Sequence, residues 1–100
     1  MGGEYPDLWD VELASTADKQ IGNLPGPGRE EALDLLIDLA EDPFLPGAER
    51  LRHYNNRYKV RFGRGERYRM LYDVFAASRK VVVGRNELRG PETNTGMDRW

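Results

Sequence analysis

The residues of this chain best equipped for chemistry are cations, and they are concentrated in one segment, Arg57-Tyr-Lys-Val-Arg-Phe-Gly-Arg-Gly-Glu-Arg-Tyr-Arg-Met-Leu-Tyr-Asp73. Along a strand, side chains alternate between two faces. Arg57, Lys59 and Arg61 then share one face, and Tyr58, Val60 and Phe62 the other. Gly63 and Gly65 supply a turn, after which Arg67 and Arg69 run out of phase with Tyr68, Met70 and Tyr72. A hairpin built this way is cationic on one side and apolar on the reverse. Such an array attracts an anionic polymer, and preorganised guanidinium and ammonium groups stabilise charge that develops on a phosphate. The same residues also fit a plain solvated sheet face, neutralised by Asp73 and Glu66.

Other catalytic constellations are missing. The chain has one histidine, His53, and no cysteine, so neither a Ser-His-Asp arrangement nor a thiolate metal site can be assembled, and no metal or cofactor is expected. His53 reads as a solvated loop residue. Gly63-Arg-Gly65 lacks the lysine and the strand-to-helix context of a phosphate loop, so it reads as a hairpin turn.

A length of 100 residues and 39% hydrophobic content suit one small globular domain spanning 1–100, with residues 1–7 and 94–100 as flexible tails. The apolar runs are too short for a membrane span. The opening Met1-Gly-Gly-Glu-Tyr-Pro-Asp7 lacks the basic and apolar regions of a secretory signal, and with no cysteine the expectation is a cytoplasmic protein. The formal charge of −2 conceals an asymmetry, since residues 1–50 sum to −9 and residues 51–100 to +7. One surface should therefore be acidic and another basic.

The elements that must hold the cations follow from periodicity. Residues 8–13 alternate as a first strand. A short helix over 17–24 is capped by Ser15 or Thr16, and Pro25-Gly-Pro-Gly28 breaks it. Ala32, Leu35, Leu36 and Leu39 mark a longer helix over 29–41, ended by Asp42-Pro43. Phe44 or Leu45 is expected to anchor the following loop. Strands over 57–62, 67–74 and 80–88 complete the order β-α-α-β-β-β. The fold class is α+β, with two N-terminal helices packed on a small, mainly antiparallel four-stranded sheet. Tyr68 and Tyr72 share parity with Met70 and belong to packing.

Glu41-Asp-Pro-Phe-Leu-Pro-Gly-Ala-Glu-Arg-Leu51, Tyr58-Lys-Val-Arg61, Tyr68-Arg-Met-Leu-Tyr72, Lys80-Val-Val-Val83 and Arg89-Gly-Pro-Glu-Thr93 together resemble the RelE/ParE superfamily of toxins, over about residues 9–93. The resemblance implies the toxin half of a type II toxin–antitoxin pair, closest to RelE-type mRNA interferases. These are metal-independent endoribonucleases that cut messenger RNA on the ribosome by attack of a 2′-hydroxyl on the adjacent phosphate. Carried over, Lys59 and Arg61 match the basic pair of the first hairpin strand, Arg69 the arginine of the Tyr-Arg-x-x-Tyr strand, and Arg89 the late arginine at the leaving group. These four are the expected catalytic residues, and Arg57, Arg64, Arg67 and Arg85 the expected further contacts to RNA. Near Asn94, where RelE-type enzymes often carry a tyrosine, this chain has no aromatic. The implied partners are a cognate antitoxin, the ribosome with its message, and operator DNA only through the antitoxin complex. The alternative within the superfamily is a ParE-like, non-enzymatic inhibitor of DNA gyrase, or an inactive relative that keeps only antitoxin binding.

Overall fold

The structure, a computed structural model, describes residues 7–88. In chain order the elements are β1 (Asp10–Leu13), α1 (Ser15–Gly22), α2 (Gly26–Glu41), β2 (Glu49–Arg50), β3 (Arg57–Phe62), β4 (Tyr68–Phe75) and β5 (Lys80–Leu88). The α+β order matches expectation, but the sheet is larger. It is mixed and five-stranded, in the order β1-β5-β4-β3-β2. β1 lies parallel to β5, whereas β2, β3, β4 and β5 pair antiparallel in succession. The strand absent from the expected count is β2, whose Glu49 and Arg50 pair with Lys59 and Tyr58. Two residues carry no readable period.

Both helices start earlier than their sequence signals indicate. Ala14, not Ser15 or Thr16, occupies the N-cap position of α1, and no side chain caps it. The reason lies next door: the Ala14 N–H donates to the Val83 carbonyl at 2.9 Å, so β1's ladder runs directly into the helix. α2 begins at Gly26, with Pro25 at its N-cap and Pro27 inside its first turn. Proline has no N–H to leave unsatisfied there, and its φ already suits a helix, so the motif read as a breaker is an initiator.

The helices cover one face of the sheet. Ala17, Ile21, Ala32 and Leu39 meet Val60, Phe62, Met70, Tyr72, Val81 and Val83 in one buried cluster. Tyr72 is fully buried, and its hydroxyl donates to the Pro43 carbonyl at 2.9 Å. Burial pushes this phenol well above the ordinary tyrosine range. Pro43 is thus the buried residue after α2. Phe44 is 50% exposed, with its ring set edge-on against Trp9 and Tyr58, and Leu45 packs at the cluster's margin.

One irregularity determines which side chains reach the opposite face. Leu71 pairs with Arg85 and Tyr72 with Val83, leaving Gly84 as an extra residue in β5. This β-bulge shifts the alternation by one. Val81 and Val83 face the helices before it, Asn86 faces them after it, and Arg85 and Glu87 turn outward.

Candidate functional site

The sheet face turned away from the helices carries the cations. On the β3–β4 ladder Arg57 lies opposite Asp73, Lys59 opposite Leu71, and Arg61 opposite Arg69. On the β4–β5 ladder Arg85 lies opposite Leu71, and Glu87 opposite Arg69. Arg57, Lys59, Arg61, Arg69 and Arg85 therefore share one surface of three adjacent strands. Arg69 is buried there, at 2% exposure, on the central strand β4 between Arg61 and Glu87. A like charge directly opposite is unfavourable and an opposite charge favourable, so Glu87 offsets what Arg61 costs.

The cations of this face are closely matched by carboxylates. The Arg57 Nε donates to Asp73 Oδ1 at 2.8 Å and its Nη2 to Oδ2 at 3.2 Å, with both side chains under one-fifth exposed. Lys59 Nζ lies 3.4 Å from Glu49 Oε1, Arg61 Nη1 3.6 Å from Glu66 Oε1, and Arg85 Nη1 3.1 Å from Glu87 Oε2. Farther along, Lys80 Nζ sits 3.0 Å from Glu12 Oε2, and that hydrogen bond holds the ammonium above the ordinary lysine range. The asymmetry of charge between the two halves of the chain is thus partly closed within the sheet itself, through Glu12 and Glu49.

A short apolar strap crosses this surface. Leu51 and Tyr54, from the β2–β3 connection, pack on the outward-facing Leu71. The Arg57 guanidinium lies 4.5 Å from the centroid of the Tyr54 ring, a cation–π contact added to the Asp73 pair. Arg57 is consequently built into the scaffold at one end of the face, while Arg61 remains about two-fifths exposed at the other. His53 occupies the strap's exposed turn, with a positive φ of 69°.

Two of the expected RNA contacts lie elsewhere. Arg64 is in the β3–β4 turn, and Arg67 has helical backbone angles just before β4 begins at Tyr68, so neither belongs to the alternating face. Both line a groove of about 370 Å³ beside Pro25, Pro27 and Glu31 at the start of α2. The turn itself forms where the glycines require it, at φ 86° for Gly63 and 67° for Gly65. The Gly63 N–H donates to Glu31 Oε1 at 3.1 Å, which ties the turn to α2. A second cleft, of about 360 Å³, brings Arg61 and Glu66 to the α2 carboxylates Glu31, Asp34 and Asp38. Arg89 and Asn94 lie outside the described residues.

The sequence reading missed Glu49, Glu87 and the Leu51–Tyr54 strap. Glu87 was within reach, since Arg85 and Glu87 are two apart on a strand and so must share a face. Glu49 was not, because its place depends on β2.

No protein-family model and no curated protein sequence matches the chain. Solved structures do. A chain of the toxin–antitoxin complex RelBE2 from Mycobacterium tuberculosis is 25% identical over 82% of this chain and 99% of that one, with a TM-score of 0.68. The isolated RelE toxin of E. coli is 22% identical over 91% of this chain and 97% of its own, with a TM-score of 0.70. A chain of the archaeal RelE–RelB complex from Pyrococcus horikoshii is 19% identical over 83% and 97%, with a TM-score of 0.72. The chain thus has the fold of these RelE toxins and toxin–antitoxin complexes.

Proposed function

We propose that this chain is the toxin of a type II toxin–antitoxin pair, and that it stops translation by cutting messenger RNA on the ribosome. The observation that carries the reading is the set of five cations on one face of β3, β4 and β5, on the fold of the RelE toxin. In the proposed reaction the 2′-oxygen of one nucleotide attacks the adjacent phosphorus. Its proton departs, the bond from phosphorus to the 5′-oxygen breaks, and that oxygen takes up a proton. The products are a 2′,3′-cyclic phosphate and a free 5′-hydroxyl. Arg61 and Arg69 hold the phosphate as its negative charge grows, and Lys59 assists departure of the 2′-hydroxyl proton or neutralises the resulting charge. Arg89 acts at the leaving oxygen, Arg85 contacts the neighbouring backbone, and Arg57 orients the strap at the far end. Arg64 and Arg67, off the main face, reach RNA from the hairpin turn.

The proposed partner is a separate antitoxin, in line with the toxin–antitoxin complexes among the structural neighbours. The ribosome and message are the targets, operator DNA is met only through the antitoxin complex, and the whole chain acts as one domain in the cytoplasm.

The test is induction of the wild-type chain and of Lys59→Ala, Arg61→Ala and Arg89→Ala in a bacterial host, with primer extension on a reporter message. Cuts at codon-defined positions, lost in the three variants, are expected. An intact message accompanied by a DNA-damage response would replace this reading with the ParE-like one. An intact message with no arrest of growth would leave an inactive relative.

A further inference from the structure

The ion pairs on the cationic face fall into two kinds. Arg57 and Asp73 form a two-point pair at 2.8 and 3.2 Å, with side-chain exposures of 16% and 13%, which suits permanent scaffolding. Lys59–Glu49 and Arg61–Glu66 are longer contacts, at 3.4 and 3.6 Å, and their carboxylates are 58% and 63% exposed. Pairs of the second kind are held by little net free energy, because water hydrates the carboxylate almost as well as the cation does. Glu66 stands out further by its backbone. It adopts a positive φ of 56°, immediately after Gly65 at 67°, in a conformation that glycine or asparagine would occupy at lower cost. A residue kept in that region despite the strain is a reason to ask what its side chain does. Here the side chain stands beside the guanidinium proposed to grip the phosphate, in a cleft that already holds Glu31, Asp34 and Asp38.

We infer that Glu66 and Glu49 are built-in competitors of the phosphate, occupying Arg61 and Lys59 until an incoming polyanion displaces them. The inference rests on reading this face as the RNA-binding surface. RNA that takes Arg61 must release Glu66, and the freed carboxylate then gathers a salt cation. That uptake cancels the counterion release which normally drives binding to nucleic acid. The competing carboxylates weaken binding of any single phosphate while leaving a dense array of phosphates able to capture the face. Free RNA is thereby held off more strongly than a message presented with its ribosomal surroundings.

The experiment measures binding of a labelled oligouridylate, and in parallel of inorganic polyphosphate, across a salt titration. The proteins are the wild-type chain, Glu66→Gln, Glu49→Gln, the double variant, and Glu30→Gln as a control. Glu30 is an exposed α2 carboxylate outside the site, so its change alters net charge equally. Glu66→Gln is expected to bind about two- to five-fold tighter than wild type, the range set by the small worth of an exposed pair. Its salt slope should steepen by up to about 0.7, the single-strand value per phosphate, because no carboxylate is left to take up a cation. The Glu30→Gln control should stay at wild type.

Equal tightening by Glu66→Gln and Glu30→Gln would reduce the effect to net charge and overturn the inference. So would binding that is unchanged or absent in the double variant with both polyanions. Failure of the nuclease reading has a different signature: the variants keep their order on polyphosphate while message on ribosomes stays uncut.

Discussion

Replacing Gly63 by alanine tests how the β3–β4 turn is held, and with it the placement of Arg61 and Glu66. Gly63 has φ 86° and ψ 165°, a region that residues with a Cβ essentially do not enter. An added Cβ would lie 2.6 Å from Cδ2 and 3.1 Å from Cε2 of Tyr68. The Tyr68 ring has little room to retreat. It is 7% exposed, packs on Phe62 at 5.5 Å between centroids, and already abuts Gly28, where a Cβ would stand 3.0 Å from Cε2. The backbone term is about 1–3 kcal/mol and the overpacking term of similar size, so the expected loss is about 2–6 kcal/mol. Small domains hold only about 5–15 kcal/mol in total, and the melting temperature should fall by at least about 8 °C. Urea and thermal unfolding followed by circular dichroism measure this directly. Gly22→Ala is the internal control, because Gly22 lies in α1 with nothing within 4 Å of its added Cβ. That change should stabilise the protein by about 0.4–1 kcal/mol. A Gly63→Ala loss below about 0.5 kcal/mol, the level of an ordinary surface change, would refute the account of the turn.

Two further predictions concern the supports of the site. Tyr72→Phe removes the donor to the Pro43 carbonyl, so stability should drop by about 1–3 kcal/mol in urea titrations near neutral pH. The wild-type phenol has its pKa raised by burial, so its contribution is intact below the unfolded-state value of about 10 and is lost as pH rises toward the higher native value. Stability should therefore fall more steeply above about pH 10 in wild type than in Tyr72→Phe, and parallel alkaline curves would exclude this cause. Asp73→Ala leaves the half-buried Arg57 guanidinium without its two-point acceptor, and about 1.5–3 kcal/mol of stability should go with it. Because Arg57 is assigned to scaffold, an Asp73→Ala/Arg57→Ala cycle should show coupling in unfolding experiments. Additive losses would place the two side chains apart.

The hairpin that carries the site was legible because its period of two persists through six residues of β3 and resumes after two glycines. That pattern put Lys59, Arg61 and Arg69 on one face and Val60, Phe62 and Met70 on the other, as the ladder has them. Legibility failed where geometry came from a single residue or from distant parts of the chain. Arg67 was assigned to the strand because it continues the alternation, yet the turn keeps it in a helical conformation. Phe44 looked like an anchor by its size, but Pro43 is the residue that fits under the Tyr72 hydroxyl. Glu49 and the strap depend on a two-residue strand that carries no pattern of its own. The neutralising acids proposed from sequence, Asp73 and Glu66, do pair with cations of the face, but Lys59 and Arg85 take Glu49 and Glu87.

The additional glycine in β5 gives one strand two different jobs. Ahead of Gly84, Val81 and Val83 fill the interior, and beyond it the outward positions go to Arg85 and Glu87. Excising that glycine would set Arg85 directly after Val83, so the alternation would run unbroken with Asn86 still inward and Arg85 and Glu87 still outward. Only the local bend of the bulge would be lost. What fails is regular pairing with Gly84 retained, since Gly84 would then stand opposite Leu71, driving Arg85 toward the helices and swinging Asn86 into water. The extra residue and the bulge that absorbs it therefore stand or fall together, and with them the faces given to Arg85 and Asn86.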